Sequence, residues 1–320
     1  MKEIGGYFEF EQLINNEYYK DLLRLNTGRH SLIYLMEKKK ITKLYIPYYL
    51  CESVYEILEK YNYKYEFYRI TKDFLPDFNN ELLENEYLYI VNYYGQISNE
   101  KLSELKKKYK NIIMDNTHAF FQKPLEKIDT IYNCRKWFGV SDGAYLSTDI
   151  NLNEKLKVDF SKDRMTYLLG RYEGKASDYY NYFQENDKKF KDEEIKLMSK
   201  LTQNIMGAID YKKVKEIRKE NYQYLYNQFK NINKLKLNEA EIPFCYPLYL
   251  DNIEGIREDL AKNKIYIPTL WPNVLKENLE ESIEYKYAKN ILPIPCDQRY
   301  SLKDMEYIIK NIKLKIGDDL

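Results

Sequence analysis

Between residues 28 and 118, short β-rich runs alternate with helical patterns, and this alternation constrains the fold more than any other feature. Each helical stretch carries apolar residues at the spacing of one buried face, and turn residues close several of the β-rich runs. The rhythm predicts parallel βαβ units and therefore an α/β core. Helices are predicted at 28–39, 51–61 and 99–109, and strands at 43–46, 63–70, 87–94 and 111–114.

After residue 118 the alternation becomes less regular. Two predicted strands, at 130–134 and 144–148, follow one another without a long helix, so the sheet is expected to be mixed on this side. The segment 149–193 has no clear period and is interpreted as loops and an excursion over the active-site face. The remaining predicted elements are a helical stretch at 194–229 interrupted near Asp210, strands at 243–250 and 264–267, and a closing helix at 302–312.

The length of the chain allows two domains. At roughly 150 residues per domain, 320 residues predict a large α/β domain at 1–205 and a smaller C-terminal α/β domain at 206–320. No low-complexity linker separates the two parts, so we expect them to pack closely.

Charge balance and rare residue types exclude several classes of function. Lys+Arg 51 and Asp+Glu 50 leave a net charge of +1, which lacks the basic excess of a dedicated nucleic-acid-binding protein. With two histidines and four cysteines that form no C-x-x-C pair, no metal site and no disulfide framework are expected, and a cytoplasmic location fits. Neither a signal peptide nor a run of about 18 apolar residues is present, so no membrane partner is expected.

Polar motifs stand where several predicted strands end. The sequence contains no G-x-G-x-x-G, no Walker A motif and no G-x-S-x-G elbow, so the common dinucleotide, triphosphate and hydrolase signatures do not apply. Open α/β sheets bind their ligands at the carboxyl ends of the strands. Four motifs are candidates for such a site, and they lie at residues 27–30, 92–96, 115–118 and 133–139.

Each motif also has an ordinary structural interpretation. Gly28 would let a phosphate approach the free N–H groups of a helix, yet it also suits a plain helix start. Asp115 can pair with a protonated ring nitrogen or can simply cap a turn. Lys136, flanked by aromatic residues, can be a partly desolvated nucleophile, whereas isolated lysines are usually solvated surface charges. Residues 92–96 could form a pocket wall or a plain strand end and turn.

Taken together and in order, these motifs resemble the DegT/StrS family. That family is a branch of the fold type I pyridoxal-phosphate (PLP) enzymes, best known as aminotransferases acting on nucleotide-linked keto sugars. The resemblance implies a large, mostly parallel α/β/α sheet domain and a small C-terminal α/β domain. It is carried by residues 27–29, 46–51, 91–96 and 115–118, by Lys136 followed by Asp142 and Gly143, and by residues 294–300.

The resemblance implies roles for three central residues. Lys136 matches the catalytic lysine that holds PLP as a Schiff base. Asp115 matches the carboxylate that keeps the pyridine nitrogen of PLP protonated, so that the ring can withdraw electrons. His118 matches the family's Gln or His three residues after that aspartate, which lies against the ring oxygen of the cofactor.

Further cofactor contacts follow from the same resemblance. Gly28 and Arg29 match the helix start that binds the phosphate, and Asn133 is near the position of a polar side chain that helps to hold it. The position that carries a stacking aromatic ring in many relatives falls near Cys51. Stacking on the cofactor is therefore expected from elsewhere, with Tyr49 as the candidate, or is absent.

Tyr93 and Tyr94 are candidate substrate-binding residues, because they end the strand predicted at 87–94 beside the same pocket. Residues 195–199 read Ile-Lys-Leu-Met-Ser, where many relatives have Asn-Tyr-Arg-Met-Ser and the Asn reaches the cofactor phosphate of the neighbouring subunit. We expect that contact between subunits to be lost or replaced.

The resemblance implies a homodimeric aminotransferase that moves an amino group from an amino acid, expected to be glutamate, to a keto sugar nucleotide. Surface-polysaccharide or amino-sugar biosynthesis would be its setting, with small molecules as its partners. A PLP-dependent decarboxylase or lyase acting on an amino acid remains an alternative, because the same lysine and aspartate serve either outcome. A PLP-fold protein that binds or regulates without turnover is the alternative from another class.

Overall fold

The predicted alternation of strands and helices is present in the computed structural model, which describes residues 4, 6–152, 155–238, 240–251 and 253–317. The strands are β1 (Leu23–Leu25), β2 (Lys43–Pro47), β3 (Lys64–Ile70), β4 (Pro76–Asp77), β5 (Glu86–Val91), β6 (Ile112–Asp115), β7 (Asp129–Asn133), β8 (Ala144–Ser147), β9 (Tyr246–Tyr249) and β10 (Ile291–Ile294). The helices are α1 (Gly28–Lys38), α2 (Glu52–Lys60), α3 (Asn99–Tyr109), α4 (Thr166–Glu173), α5 (Tyr180–Lys189), α6 (Lys200–Gly207), α7 (Tyr211–Phe229), α8 (Ile256–Lys262), α9 (Val274–Glu277), α10 (Ile283–Asn290) and α11 (Leu302–Ile316).

A large mixed sheet forms the centre of the molecule. Its strand order is β1-β8-β7-β6-β5-β2-β3-β4. The central run from β7 through β6, β5 and β2 to β3 is parallel, whereas β8 lies antiparallel to β7 and to β1. The prediction of a mixed sheet on the β7–β8 side is therefore confirmed. Strand β6 is buried along its whole length, as expected of a parallel strand covered on both faces.

The topology brings the candidate motifs to one edge of this sheet. Parallel strands β2, β5, β6 and β7 end at the same edge, and residues 92–96, 115–118 and 133–139 follow three of them. Strand β1 is antiparallel to β8, which is antiparallel to β7, so β1 runs in the same direction as β7. Helix α1 therefore also begins at this edge, next to the other motifs.

The segment 149–193 differs from its prediction as loops. It contains α4 and α5, together with 3₁₀ turns at Lys162–Arg164 and Ala176–Tyr179. Both helices are short and largely exposed, so they bury too few residues to impose a helical period on the sequence. Helix α5 contacts the start of α1 and the turn after β7, so this segment lies against the edge that carries the candidate motifs.

The last third of the chain contains a second hydrophobic core, in which α7, α8 and α11 pack around the antiparallel pair β9 and β10. The interruption predicted near Asp210 is confirmed, because α6 ends at Gly207 and α7 begins at Tyr211. The strand predicted at 264–267 is wrong: those residues are unpaired, and β10 takes the place beside β9. Within the described ranges, no helix combines the length and apolar character needed to cross a membrane.

Candidate functional site

Lys136 lies in a short turn that follows strand β7. The strand ends at Asn133, whose side-chain oxygen accepts a hydrogen bond from the backbone N–H of Arg135 at 3.1 Å and so starts the 3₁₀ turn Cys134–Lys136. Trp137, which follows, is buried, but Lys136 itself is exposed. In the single chain the indole is therefore withdrawn from water while the lysine is accessible, and partial desolvation of its amine stays a prediction.

Asp115 is the last residue of β6, and its carboxylate is buried at 8% exposure. One oxygen accepts a hydrogen bond from the Tyr89 hydroxyl at 2.7 Å, and the other accepts one from the backbone N–H of Thr117 at 2.8 Å. Burial raises the pKa of Asp115, while these hydrogen bonds and the charge of Lys136 act in the opposite direction. Tyr89 was not predicted from the sequence, where it is one of several aromatic residues in an apolar strand.

The Lys136 turn and the Asp115 turn are joined directly. The indole N–H of Trp137 donates a hydrogen bond of 2.8 Å to the backbone carbonyl of Thr117. The positive charge of Lys136 also contributes to the pKa shifts of both Asp115 and His118, which places its amine within electrostatic reach of both. The three central residues predicted from the sequence therefore lie in one neighbourhood.

His118 is buried in a stack of aromatic rings rather than facing open space. Its imidazole lies parallel to the ring of Phe244, with centroids 4.2 Å apart, and to the ring of Trp271, with centroids 5.7 Å apart. Burial and then the charge of Lys136 lower the pKa of His118 to about 3. The ring is therefore neutral at physiological pH, so it can donate or accept one hydrogen bond but cannot supply a positive charge.

Gly28, Arg29 and Asn133 form a corner at the start of α1. The Thr27 hydroxyl caps the helix by accepting from the N–H of His30. A β-carbon on Gly28 would stand 3.8 Å from the side-chain nitrogen of Asn133, so these two residues are neighbours. Burial lowers the pKa of the Arg29 guanidinium, as expected of a cation that is mostly withdrawn from water.

Cys51 lies on the other side of this corner. It precedes helix α2 and is half-buried, and its sulfur accepts a hydrogen bond from the Ser53 hydroxyl at 3.2 Å. The thiol contributes to the pKa shifts of both Arg29 and Tyr89, so it lies near both residues. Its place against a cofactor stays a prediction, and a thiol provides no aromatic ring for stacking.

Arg135 is a further residue of the corner that was not predicted. Its guanidinium donates a hydrogen bond of 3.0 Å to the Asp187 carboxylate of α5. Its Nε is buried and meets no hydrogen-bond acceptor among the described residues. The sequence did contain one signal for this residue: Arg135 is basic, directly precedes Lys136 and lies in a turn that follows a parallel strand.

The predictions for Tyr49, Tyr93 and Tyr94 do not fit their burial, which leaves each of them at most 1% exposed. Tyr93 donates its hydroxyl hydrogen bond to the backbone carbonyl of Tyr49 at 2.6 Å. The hydroxyls of Tyr49 and Tyr94 are 3.1 Å apart and bond to each other. All three rings belong to the core beneath the site, so neither stacking on a cofactor by Tyr49 nor substrate contact by Tyr93 and Tyr94 is supported.

The carboxylate of Asp142 ties the start of helix α6 to this edge of the sheet. It accepts hydrogen bonds from the backbone N–H and the hydroxyl of Ser199, each at 2.8 Å, and a short one from the Thr202 hydroxyl. These bonds fix the start of α6. Ser199, the last residue of the 195–199 motif, is therefore bonded within its own chain.

Comparison with solved structures identifies the fold. A DegT DnrJ EryC1 StrS aminotransferase from Brucella abortus superposes with a TM-score of 0.60 at 12% identity, covering 93% of this chain and 86% of that one. PseC from Helicobacter pylori, an aminotransferase involved in the biosynthesis of pseudoaminic acid, gives a TM-score of 0.61 at 15% identity and covers 94% and 88%. Spr1654 from Streptococcus pneumoniae, in its PLP form, gives a TM-score of 0.62 at 13% identity and covers 91% and 86%.

These superpositions confirm the predicted fold type I architecture, with its large mixed sheet and its small C-terminal sheet. The resemblance to DegT/StrS sugar aminotransferases is thus confirmed at the level of the fold. No protein-family model matches the sequence. No relative is found among curated proteins.

Proposed function

We propose that this protein is a PLP-dependent aminotransferase that moves an amino group from an amino acid, expected to be glutamate, to a keto sugar nucleotide. The observation that carries the proposal is the hydrogen bond from Trp137 to Thr117, which joins the turn carrying Lys136 to the turn carrying Asp115 at the carboxyl edge of the sheet. Surface-polysaccharide or amino-sugar biosynthesis is the proposed setting, and it rests on the likeness to sugar aminotransferases.

The chemistry of the side chains fits PLP. Asp115 is a buried hydrogen-bond acceptor suited to the ring nitrogen, and Lys136 is an accessible amine suited to the aldehyde. Gly28, Arg29 and Asn133 would hold the phosphate. The buried Nε of Arg135, which lacks an acceptor among the described residues, adds a donor of the kind that a phosphate oxygen would satisfy.

When bound, PLP supplies an electron-withdrawing ring for reactions at the α-carbon of an amino acid. Asp115 would hold a proton at the ring nitrogen, and burial strengthens that interaction because water does not screen it. The amine of Lys136 would take up and return the proton at the α-carbon. His118 would orient the ring by one hydrogen bond from a neutral imidazole.

The proposal extends to the organisation of the molecule. We propose a large domain at 1–205 and a small domain at 206–320, which the separate hydrophobic core around β9 and β10 supports. A cytoplasmic homodimer is part of the same proposal and rests on the family resemblance. Light scattering on the purified chain gives the mass in solution and so tests the dimer.

Nitrogen transfer tests the proposed reaction. The full-length chain is purified with PLP and incubated with ¹⁵N-glutamate and a nucleotide-linked keto sugar, and mass spectrometry follows the label. We expect ¹⁵N in the sugar nucleotide, and we expect Lys136→Arg to abolish the transfer while preserving the charge. The matched control is Lys303→Arg, a change at an exposed lysine of α11 that should leave the transfer intact.

The outcomes separate the proposal from its alternatives. Release of carbon dioxide from the amino acid without transfer to sugar would favour a decarboxylase. Failure of PLP to bind at all would favour a binding or regulatory protein. Transfer that persists in Lys136→Arg would contradict the role of this lysine.

A further inference from the structure

Helix α5 inserts a carboxylate into the corner beside Lys136. Asp187 lies 3.0 Å from a guanidinium nitrogen of Arg135 and 3.9 Å from one of Arg29, and both distances are to the same carboxylate oxygen. The two arginine side chains are only 11% and 12% exposed, whereas the Asp187 side chain is 52% exposed. Two nearly buried cations therefore share one anion, and that anion approaches them from the solvent side.

Because the one Asp187 carboxylate is shared by two guanidinium groups, it does not balance their combined positive charge. The 3.9 Å separation from Arg29 is an ion-pair distance but too long for a hydrogen bond. Arg135 uses one of its nitrogens on Asp187, while its buried Nε meets no acceptor in the described part of the chain. A phosphate carries more charge than a carboxylate and has more acceptor oxygens, so it would satisfy this pair of guanidinium groups better.

Neighbours of Asp187 hold the helix in place independently of that carboxylate. Asn186 is buried and donates a hydrogen bond of 3.0 Å to the backbone carbonyl of Ser141. Phe190 is fully buried, and the guanidinium groups of Arg135 and Arg164 lie 4.8 and 4.9 Å from the centre of its ring. The position of α5 therefore does not depend on the Asp187 carboxylate alone.

Arg29 also lines a cleft that is open to solvent. The cleft, of about 220 Å³, lies between α1 and α2, and Arg29, Lys60 and Lys191 contribute positive charge to its lining. Glu56 is the acidic residue in the same lining, and it forms an ion pair with Lys191 at 2.6 Å. The net charge of this lining favours the approach of an anion.

We propose that Arg135 is a phosphate-binding residue in the same chain and that Asp187 is an internal placeholder for the phosphate, which leaves the two arginines when a phosphate group binds. This inference rests on the proposed function in taking the phosphate of PLP as the natural ligand.

Binding measurements on the full-length chain test this inference. PLP, pyridoxal without phosphate, and inorganic phosphate are titrated into the wild type, Asp187→Asn and Arg135→Gln. The matched control is Asp192→Asn, which removes an exposed carboxylate from the segment just after α5. Thermal unfolding of each variant checks that it is folded, and thermal stabilisation by phosphate provides a readout independent of activity.

Removing the placeholder should strengthen binding. We expect Asp187→Asn to bind PLP and inorganic phosphate about three- to tenfold more tightly, because the competing ion pair is partly exposed and modest in strength. Arg135→Gln should weaken both ligands about tenfold, because a charge-assisted hydrogen bond is lost. Binding of pyridoxal should change little in either variant, and Asp192→Asn should match the wild type.

Two results would overturn the inference. If Asp187 only positions the arginines, Asp187→Asn will bind PLP and phosphate less tightly or with unchanged affinity. If Arg135 is not a phosphate ligand, Arg135→Gln will affect pyridoxal as much as PLP. Failure of the proposed function is distinguishable, because inorganic phosphate would then still follow the expected order of variants while PLP formed no bond to Lys136 in the otherwise wild-type chain.

Discussion

The indole N–H of Trp137 donates a 2.8 Å hydrogen bond to the backbone carbonyl of Thr117. Trp137 directly follows Lys136, and Thr117 lies two residues after Asp115, so this one bond fixes the turn that carries the lysine against the turn that carries the carboxylate. The guanidinium of Arg218 lies 4.2 Å from the centre of the same indole ring and connects the pair to helix α7. The position of Lys136 relative to Asp115 therefore depends on Trp137, which is not itself one of the proposed cofactor-binding residues.

Replacing Trp137 by Phe should weaken both the fold and the site. The change keeps an aromatic ring beside Arg218 but leaves the partly buried Thr117 carbonyl without its donor, which costs about 1 kcal/mol of the free energy of unfolding. Urea unfolding and PLP titration measure the two effects. The control is Tyr307→Phe, which removes an exposed hydroxyl bonded to the Asn263 carbonyl and should cost only a few tenths of a kcal/mol, the usual effect of a surface change. Equal losses in the two variants would contradict the importance of the indole bond.

Tyr89→Phe should shift the pH dependence of PLP binding. The Tyr89 hydroxyl hydrogen-bonds to the Asp115 carboxylate and lowers its pKa against the effect of burial. Without that donor the pKa of Asp115 rises, so a larger fraction is protonated at a given pH and cannot pair with a pyridinium. The acidic limb of a plot of PLP affinity against pH should therefore move to higher pH.

Tyr68→Phe is the matched control for that shift. Tyr68 is also buried, but its hydroxyl donates to the backbone carbonyl of Tyr89 at 2.8 Å and not to a carboxylate. This variant should lose stability without moving the acidic limb. A limb that stays in place in Tyr89→Phe would show that Asp115 is not the group that controls binding.

The two buried histidines should make the fold sensitive to mild acid. Burial, followed by nearby positive charges, lowers the pKa of His30 to about 4 and that of His118 to about 3. A histidine in the unfolded chain titrates near pH 6.5, so the unfolded state binds more protons below that pH. Stability is therefore lost as the pH falls from about 6.5 toward these folded-state values, by about 2 kcal/mol per histidine at pH 5.

Urea unfolding at pH 7 and pH 5 measures this loss. His118→Gln removes one of the two titrating groups, so its stability should fall less between the two pH values than that of the wild type. Carboxylates whose pKa is raised by burial, including Asp115, are present in both proteins. An identical fall in both proteins would contradict the assignment of a neutral, buried His118.

Gly143→Ala should destabilise the fold strongly. The φ angle of Gly143 is +110°, and a β-carbon there would stand 2.9 Å from a methyl group of Thr202 and 3.2 Å from Met198. Both backbone strain and overlap then oppose the change, at a cost of about 2–4 kcal/mol. Gly255→Ala is the control, because its φ is +74° but a β-carbon would meet open space, so only about 1 kcal/mol of strain is expected. Similar unfolding free energies for the two variants would contradict the close packing of Gly143 against α6.

Periodicity predicted the part of the fold in which each element buries a regular face. The first three α-helices and the parallel strands β2, β3, β5 and β6 lie within a few residues of their predicted bounds. Strand β10 was not predicted, because Pro293 interrupts a short apolar run that pairs only with the distant β9. Helices α4 and α5 were missed because they bury few residues of their own.

The proximity of the turns that carry Asp115 and Lys136 was predictable, because both turns follow parallel strands that end at one edge of the sheet. A role that depends on a distant partner was not predictable. Asp187 lies 52 residues from Arg135 along the chain, and nothing local indicates that the two meet. Tyr93 and Tyr94 follow a parallel strand at the same edge of the sheet, but their side chains are buried in the core. Their place in the sequence did not indicate this orientation.

Chemical trapping of PLP tests the central claim most directly. The full-length chain is mixed with equimolar PLP, reduced with borohydride and digested, and the modified lysine is located by mass spectrometry. The account predicts a single major pyridoxyl group on Lys136, whose abundance falls sharply in Asp115→Ala because the ring nitrogen loses its partner. A label spread over surface lysines, with no preference for Lys136, would contradict the shared site.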